Sequence, residues 1–471
     1  MRPRSLTTPL ILVMLGAFFL WRNLHPEAPV FDLIANYWPF LLIAWGFIRL
    51  LEVLAWRASR YPGVTGGEVV LVIFICLGGM GLFEVHRHGI RLTPAIFGEQ
   101  FEYPVSSQMP APEIKRIVLD TPRGSIHLTG GDTGQISVSG QKQIRAYTRE
   151  DADRTNGRTQ LEMTVEGDRL LIRSHQDRAP AEQRISDDLE VSVPRDVAVE
   201  GRAGNTDFDI SDINGAVELR SGRGDVHLSR IGGNVRLDIG RSAAISASDI
   251  HGNLDIAGQG SDVQIDNVSG QVTLNGAYVG SLEFHNLSSP LRVQGARNLE
   301  LRAAAVPGTI STDLSDLTAD NVLGPIHLVT RSRDVHFENF TDSLELETDH
   351  GDVELEPGRM PLPRIDAHST SGEIELALPE HAEFQLQATA ERGEAVNDFG
   401  SPINTQVEGR RAMMTGAVGS GPSIRITSDR GAVAVRKQGS APSVRVPQPP
   451  RPPAPPRPPA PVNLKQSEVK L

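Results

Sequence analysis

Apolar side chains recur along this chain in a short beat: a glycine, one residue, an aliphatic, one polar residue, a second apolar residue. Gly215, Val217 and Leu219 set it out, and Gly224, Val226 and Leu228 repeat it. So do Gly233 with Val235 and Leu237, Gly252 with Leu254 and Ile256, Gly270 with Val272 and Leu274, and Gly280 with Leu282 and Phe284. The first apolar positions lie nine or ten residues apart from Val217 to Leu291, with one double step of nineteen between Val235 and Leu254 that Ile245 fills. Alternation with period two points two side chains inward and the one between them outward. The glycine marks a turn or a close approach to a neighbouring coil. Half a dozen residues cannot bury a core alone, but stacked coils can, because each covers the apolar row of the next. The pattern predicts an all-β chain built as a β-solenoid or a closely related stacked-sheet domain.

The beat extends beyond these units. It starts with Ile117, Val118 and Leu119 and with Gly124, Ile126 and Leu128, and returns at Leu189, Val191 and Val193. Between them, residues 146–157 are dense in charge and sparse in apolar side chains, which predicts an exposed loop. After Leu291 the pattern loosens. It resumes at Gly324, Ile326 and Leu328, continues through Val335, Leu344, Val353 and Ile374, and closes at Val433 and Val435. The β-domain is therefore set at residues 112–438.

Before it lie three apolar runs, 6–21, 38–56 and 69–83, in a region 1–91 that reads as transmembrane helices. All four tryptophans, Trp21, Trp38, Trp45 and Trp56, fall there, three of them at span ends as an interfacial belt requires. A cleaved signal peptide is the alternative for the first run, but Trp21, Arg22, Asn23, Leu24 and His25 offer no small-x-small cleavage site. With the N-terminus inside, Arg2, Arg4, Arg57 and Arg60 face the cytoplasm and Arg22, Arg87 and Arg91 face out, which places the β-domain outside the cytoplasmic membrane. Residues 92–111, with Pro94, Pro104 and Pro110, read as a connector, and 439–471 as a proline-rich disordered tail of polyproline II character.

Charge narrows the partners. Of 46 basic and 58 acidic residues, the two ends hold thirteen and six, so the 92–439 segment keeps 33 and 52. A domain that acidic repels nucleic acid and excludes it as a partner class. Cys76 is the one cysteine, so no disulfide forms within the chain. The pattern disfavours two kinds of chemistry. A glycosidase needs paired carboxylates, yet the outward row Glu218, His227, Arg236, Asp255, Gln264, Thr273, Glu283 and Arg292 mixes signs and types. Calcium would need a ligand ladder, and Asp225, Asp262, Asp334 and Asp352 alternate with Asn234, Asn253, Gln271 and Ser281 at the same position. These acids read as turn residues bonding local backbone. No catalytic residue, metal ligand or cofactor site is assigned.

Two resemblances follow from these residues. Leu10 to Gly16, followed by Trp38, Pro39 and the run to Gly46, resembles the LiaI/LiaF-type transmembrane region of bacterial envelope-stress proteins. The order Leu189 to Val197 with its Pro194, the serial Gly-Asp-Val turns, and the closing stretches at Ala377 to Phe384 and Thr427 to Val433 are similar to the bacterial adhesin-like "toast-rack" family of unknown function. That resemblance implies a non-catalytic, envelope-associated β-solenoid that binds, scaffolds or senses envelope stress. Its partners would be the lipid bilayer and an envelope protein or polysaccharide. An envelope polysaccharide-processing enzyme and a cytoplasm-facing regulator of a signalling kinase are the alternative readings.

Overall fold

The computed structural model describes residues 98–440 apart from 112, 113, 242, 243, 297 and 359. The three expected membrane spans and the proline-rich tail from 441 onward lie outside the described residues. Among the described residues, no helix is long and apolar enough to cross a membrane. The chain divides into two compact units.

The first unit comprises 98–128, 132–194 and 202–206. Its strands pair mostly antiparallel: Gln135–Ala146 lies between Glu99–Pro110 and Arg184–Pro194, and Leu161–Glu166 forms a hairpin with Arg169–Ser174. Residues 99–110, read from their prolines as connector, are thus a strand. It pairs on one side, and an edge strand tolerates prolines because their missing donors cost no ladder bond there. The charged 146–157 stretch is likewise no loop but the helix Arg149–Arg158. Thr148 caps it by accepting the Asp151 N–H at 3.2 Å, and Glu150 and Asp151 favour its positive end. Its buried stripe is only Ala152 and Thr155, too thin for the apolar pattern to register.

The second unit, 129–131, 195–201 and 207–440, is the solenoid. Val217–Arg223, Val235–Arg241, Leu254–Gly260, Val272–Tyr278 and Leu291–Ala296 stack in parallel as one sheet. Residues 207–213, Val226–Ile231, Ala244–Ile250, Asp262–Val268 and Leu282–Leu287 stack in parallel as the other. The nine-residue beat is therefore half a coil. A full coil pairs Val217 with Val235 and Val235 with Leu254, and the step of nineteen is one turn along one sheet, with Ile245 in the sheet opposite. Val217, Leu219, Val235 and Leu237 from one sheet and Val226, Leu228, Ile245 and Val263 from the other are buried.

Each half-coil on the second sheet adds a third inward residue: Ile213, Ile231, Ile250, Val268 and Leu287. The residue before it has positive φ, between 50° and 61°, at Asp212, Arg230, Asp249, Asn267 and Asn286. Asn and Asp tolerate this region better than other non-glycine residues. The corner also bonds along the stack, Asn267 Nδ2 donating to Asp249 Oδ1 at 2.5 Å. Where coils approach closely only glycine fits: a Cβ on Gly252 would lie 2.4 Å from the Gly233 carbonyl oxygen.

The loosened pattern after Leu291 is one reversed coil. Leu299–Ala303 runs antiparallel to both Leu291–Ala296 and Ile326–Ser332. Val306–Thr312 runs antiparallel to both Leu282–Leu287 and Asp316–Asp320. Parallel winding then resumes through Ser343–His350 and Arg364–Ser369 on the first sheet, and through Asp334–Glu338, Val353–Glu356 and Ile374–Leu378 on the second. The final coil does not sit at the end. Ser423–Ser428 lies between Arg364–Ser369 and Phe384–Ala390, and Val433–Lys437 lies between Ile374–Leu378 and Ala395–Asn397. The hairpin of Asn404–Glu408 and Arg411–Val418 then extends the first sheet beyond Phe384–Ala390.

Candidate functional site

The turn acids are the first candidates, and the structure gives them structural work. Asp225 Oδ1 accepts the Ala244 N–H at 2.9 Å, Asp262 Oδ1 that of Ser281 at 2.9 Å, Asp334 Oδ1 that of Asp352 at 2.9 Å, and Asp352 Oδ1 that of Glu373 at 2.8 Å. Asn234 and Asn253 do the same for Asn253 and Gln271. These side chains were expected to bond local backbone, but their partners belong to the next coil. Asp and Asn are interchangeable here because only one acceptor oxygen is used. Among the described residues, no three His, Cys, Asp or Glu side chains converge as a metal site.

The single outward row read from the sequence is two rows. Glu218, Arg236, Asp255, Thr273 and Arg292 are in register on the first sheet. His227, Gln264 and Glu283 lie on the second, joined by Asp209 and Ser246. The second row continues across the reversed coil through Ser311, Thr318, His336, Glu354 and Glu375. At its far end it meets a cluster of ion pairs.

There, Arg436 follows the buried Val433 and Val435 in the same strand and points outward, yet its side chain is only 8% exposed. Its Nη2 donates to Glu354 Oε1 at 2.8 Å and to Glu356 Oε1 at 2.5 Å, and its Nε to Glu375 Oε1. His336 stands on the other side of Glu354, with Nδ1 2.9 Å from Glu354 Oε2 and Nε2 2.7 Å from Glu338 Oε1. Both imidazole nitrogens face carboxylates, an arrangement that suits the protonated ring. Burial alone lowers the His336 pKa, but the Glu338 and Glu354 carboxylates outweigh it and hold the value above that of free histidine. Burial likewise opposes the charge on Arg436, and Glu375, Glu356 and Glu354 override it. Four strands are thereby cross-linked through their outward side chains.

Sequence reading missed this cluster although its signal was present. His336, Glu354 and Glu375 occupy the middle position of the beats at Val335, Val353 and Ile374, the same position compared from Glu218 to Arg292. Chemically, the carboxylates of the cluster share one guanidinium and one imidazole. The first unit has a buried polar group of its own. Lys142, buried at 2% exposure, donates to the Thr159 carbonyl, and burial pulls its pKa down despite the Asp187 charge. Asp187 accepts from Ser174 Oγ and, at 2.8 Å, from Gln176 Nε2. Lys142 and Asp187 are cross-strand partners, which pins the antiparallel register.

Comparison with known proteins places these observations. The family model Toastrack DUF4097 matches residues 114–436, and the LiaF transmembrane domain model matches residues 7–98. No curated protein matches the chain. Among solved structures, one named "putative cell adhesion protein" from Clostridium sporogenes is 9% identical, covers 71% of this chain and 100% of its own, and has a TM-score of 0.17. A "putative adhesin" from Bacteroides fragilis is 10% identical, covers 71% and 97%, and has a TM-score of 0.20.

Proposed function

From the premise that this chain belongs to the Toastrack DUF4097 family, we propose that it is a membrane-anchored cell-envelope protein whose β-solenoid is a non-catalytic binding, scaffolding or stress-sensing domain. The observation that carries this reading is the pairing of a LiaF transmembrane domain match at 7–98 with the toast-rack match at 114–436. The first match covers all but residue 6 of the three expected spans and supports a membrane anchor; in this reading the anchor crosses the cytoplasmic membrane several times, and the arginine distribution around the spans favours the β-domain outside. Its partners are the bilayer and an envelope protein or polysaccharide. The non-catalytic role is supported by the turn acids, which serve coil stacking, and by the carboxylates around Arg436, which are neutralised in place.

Two measurements test it. Protease added to intact spheroplasts should digest the β-domain; protection until lysis would replace the reading with the cytoplasm-facing kinase regulator. Incubating the detergent-solubilised full chain with cell-wall and capsular glycans should leave them intact. Release of reducing ends would overturn the non-catalytic assignment in favour of polysaccharide processing.

A further inference from the structure

The two sheets of the solenoid differ in charge. Arginines dot the outward positions and ends of the first sheet: Arg220, Arg236, Arg292, Arg302, Arg364 and Arg425. On the second sheet, the strands from residue 207 to Leu378 hold a single Lys or Arg, Arg230, and it is bound to Asp212 by two hydrogen bonds of 2.8 and 2.7 Å. The same strands present Asp209, Asp266, Glu283, Asp320, Glu338 and Glu375, of which Glu338 is shared with His336 and Glu375 with Arg436. Arg436 and Lys437, the first strand cations after Arg230 on this sheet, sit where the chain leaves it. The last described residue, Ser440, lies beside Arg436, whose Nη1 donates to its carbonyl at 3.5 Å.

From that point the sequence runs on for residues 441–471 with Arg445, Arg451, Arg457, Lys465 and Lys470 against Glu468 alone. The three arginines are six residues apart in a proline-rich tract. Polyproline II has three residues per turn, so residues six apart share one edge, and at 3.1 Å per residue they are about 19 Å apart. Stacked strands are about 4.8 Å apart, so four coils also span about 19 Å. A segment leaving Ser440 and running back along the second sheet brings Arg445 to the coil of Glu338, three strands away. Arg451 then falls four strands further, at the coil of Asp266.

We propose that the arginine–proline tail of this chain docks on the acidic second sheet of its own solenoid, with Arg445 and Arg451 spaced to meet coils four strands apart. The occupant is the chain's own segment because it starts at this face, carries the opposite charge and matches the stacking repeat. The tail then acts as a built-in competitor that a cationic partner of this sheet must displace. The inference concerns the tail and the sheet alone and holds whether or not the reading of function above does.

The test uses the full chain in uncharged detergent and a fluorescein-labelled synthetic peptide of residues 441–471. In the variant R445Q/R451Q/R457Q the sheet is released and the peptide should bind, whereas in the unaltered chain the tethered tail, at an effective concentration in the millimolar range, should weaken it about tenfold or more. Raising salt should abolish the binding, since exposed charges are screened. Adding Asp266→Asn and Glu338→Gln to the variant should also remove it, with the melting temperature reporting that the fold is kept. Equal peptide binding to both chains, or binding indifferent to Asp266 and Glu338, would overturn the proposal. So would a tail whose Arg445–Val446 bond resists trypsin only when anionic phosphatidylglycerol vesicles are present, because the bilayer would then be the occupant.

Discussion

Arg436 and Arg236 are both outward-facing arginines, and their surroundings separate them. Arg236 is exposed on a mixed row, and its replacement by alanine should change stability by less than about 0.5 kcal/mol, as is usual at a surface. Arg436 is the shared partner of Glu354, Glu356 and Glu375, and Arg436→Ala leaves three carboxylates facing one another. Breaking a buried pair costs about 3–5 kcal/mol, and because these glutamates are partly exposed the loss should sit at or below the lower end. Urea melts of the two variants should differ accordingly. His336 adds a pH dependence. Its folded pKa is raised, so its stabilising contribution is complete below the unfolded value of about 6.5 and is lost as pH rises through the folded value. The unaltered chain should therefore lose more stability than His336→Gln between about pH 6 and about pH 9, read as the shift in melting temperature. An equal shift would remove His336 from this role.

At the scale of the element, the unit that holds the coils together is the acceptor at the turn. Asp225→Ala removes the acceptor for the Ala244 N–H and should cost about 0.5–1.5 kcal/mol, the net worth of one hydrogen bond. Asp225→Asn keeps an oxygen in place and should melt close to the parent. The beat of Val217 to Leu291 was legible because alternation and corner glycines are local properties of the chain. What it left open was the partner of each strand: nine-residue spacing does not say whether successive units share a sheet, and here they do not. The corner residues Asp249, Asn267 and Asn286 recur at the coil period, yet positive φ becomes readable only once that period is known. Glu99–Pro110 and Arg149–Arg158 were misread for opposite reasons. Prolines hid an edge strand, and a helix with only Ala152 and Thr155 buried carried no apolar stripe.

For the whole molecule, the membrane-domain match, the acidic solenoid and the basic tail follow one another along the chain as an apolar, an acidic and a basic segment. The cluster around Arg436 was the part of the site least legible in sequence, because Arg436 reaches Glu354 across 82 positions of chain. Such a contact depends on where the last coil is laid, and that placement carries a consequence for how the protein is made. A solenoid wound in order could form coil by coil as it leaves the ribosome. This one cannot finish that way, since Ser423–Ser428 and Val433–Lys437 belong between strands synthesised earlier. Until residue 437 emerges, Arg364–Ser369 and Phe384–Ala390 wait with facing edges unmated, and unmated edges recruit other chains. Release of a chain ending at residue 420 should yield aggregates on gel filtration, whereas one ending at 440 should stay dispersed in the same detergent. Late closure of that slot makes the last fifteen residues of the solenoid a checkpoint: the latch that completes the stack is also the proof that translation has reached it.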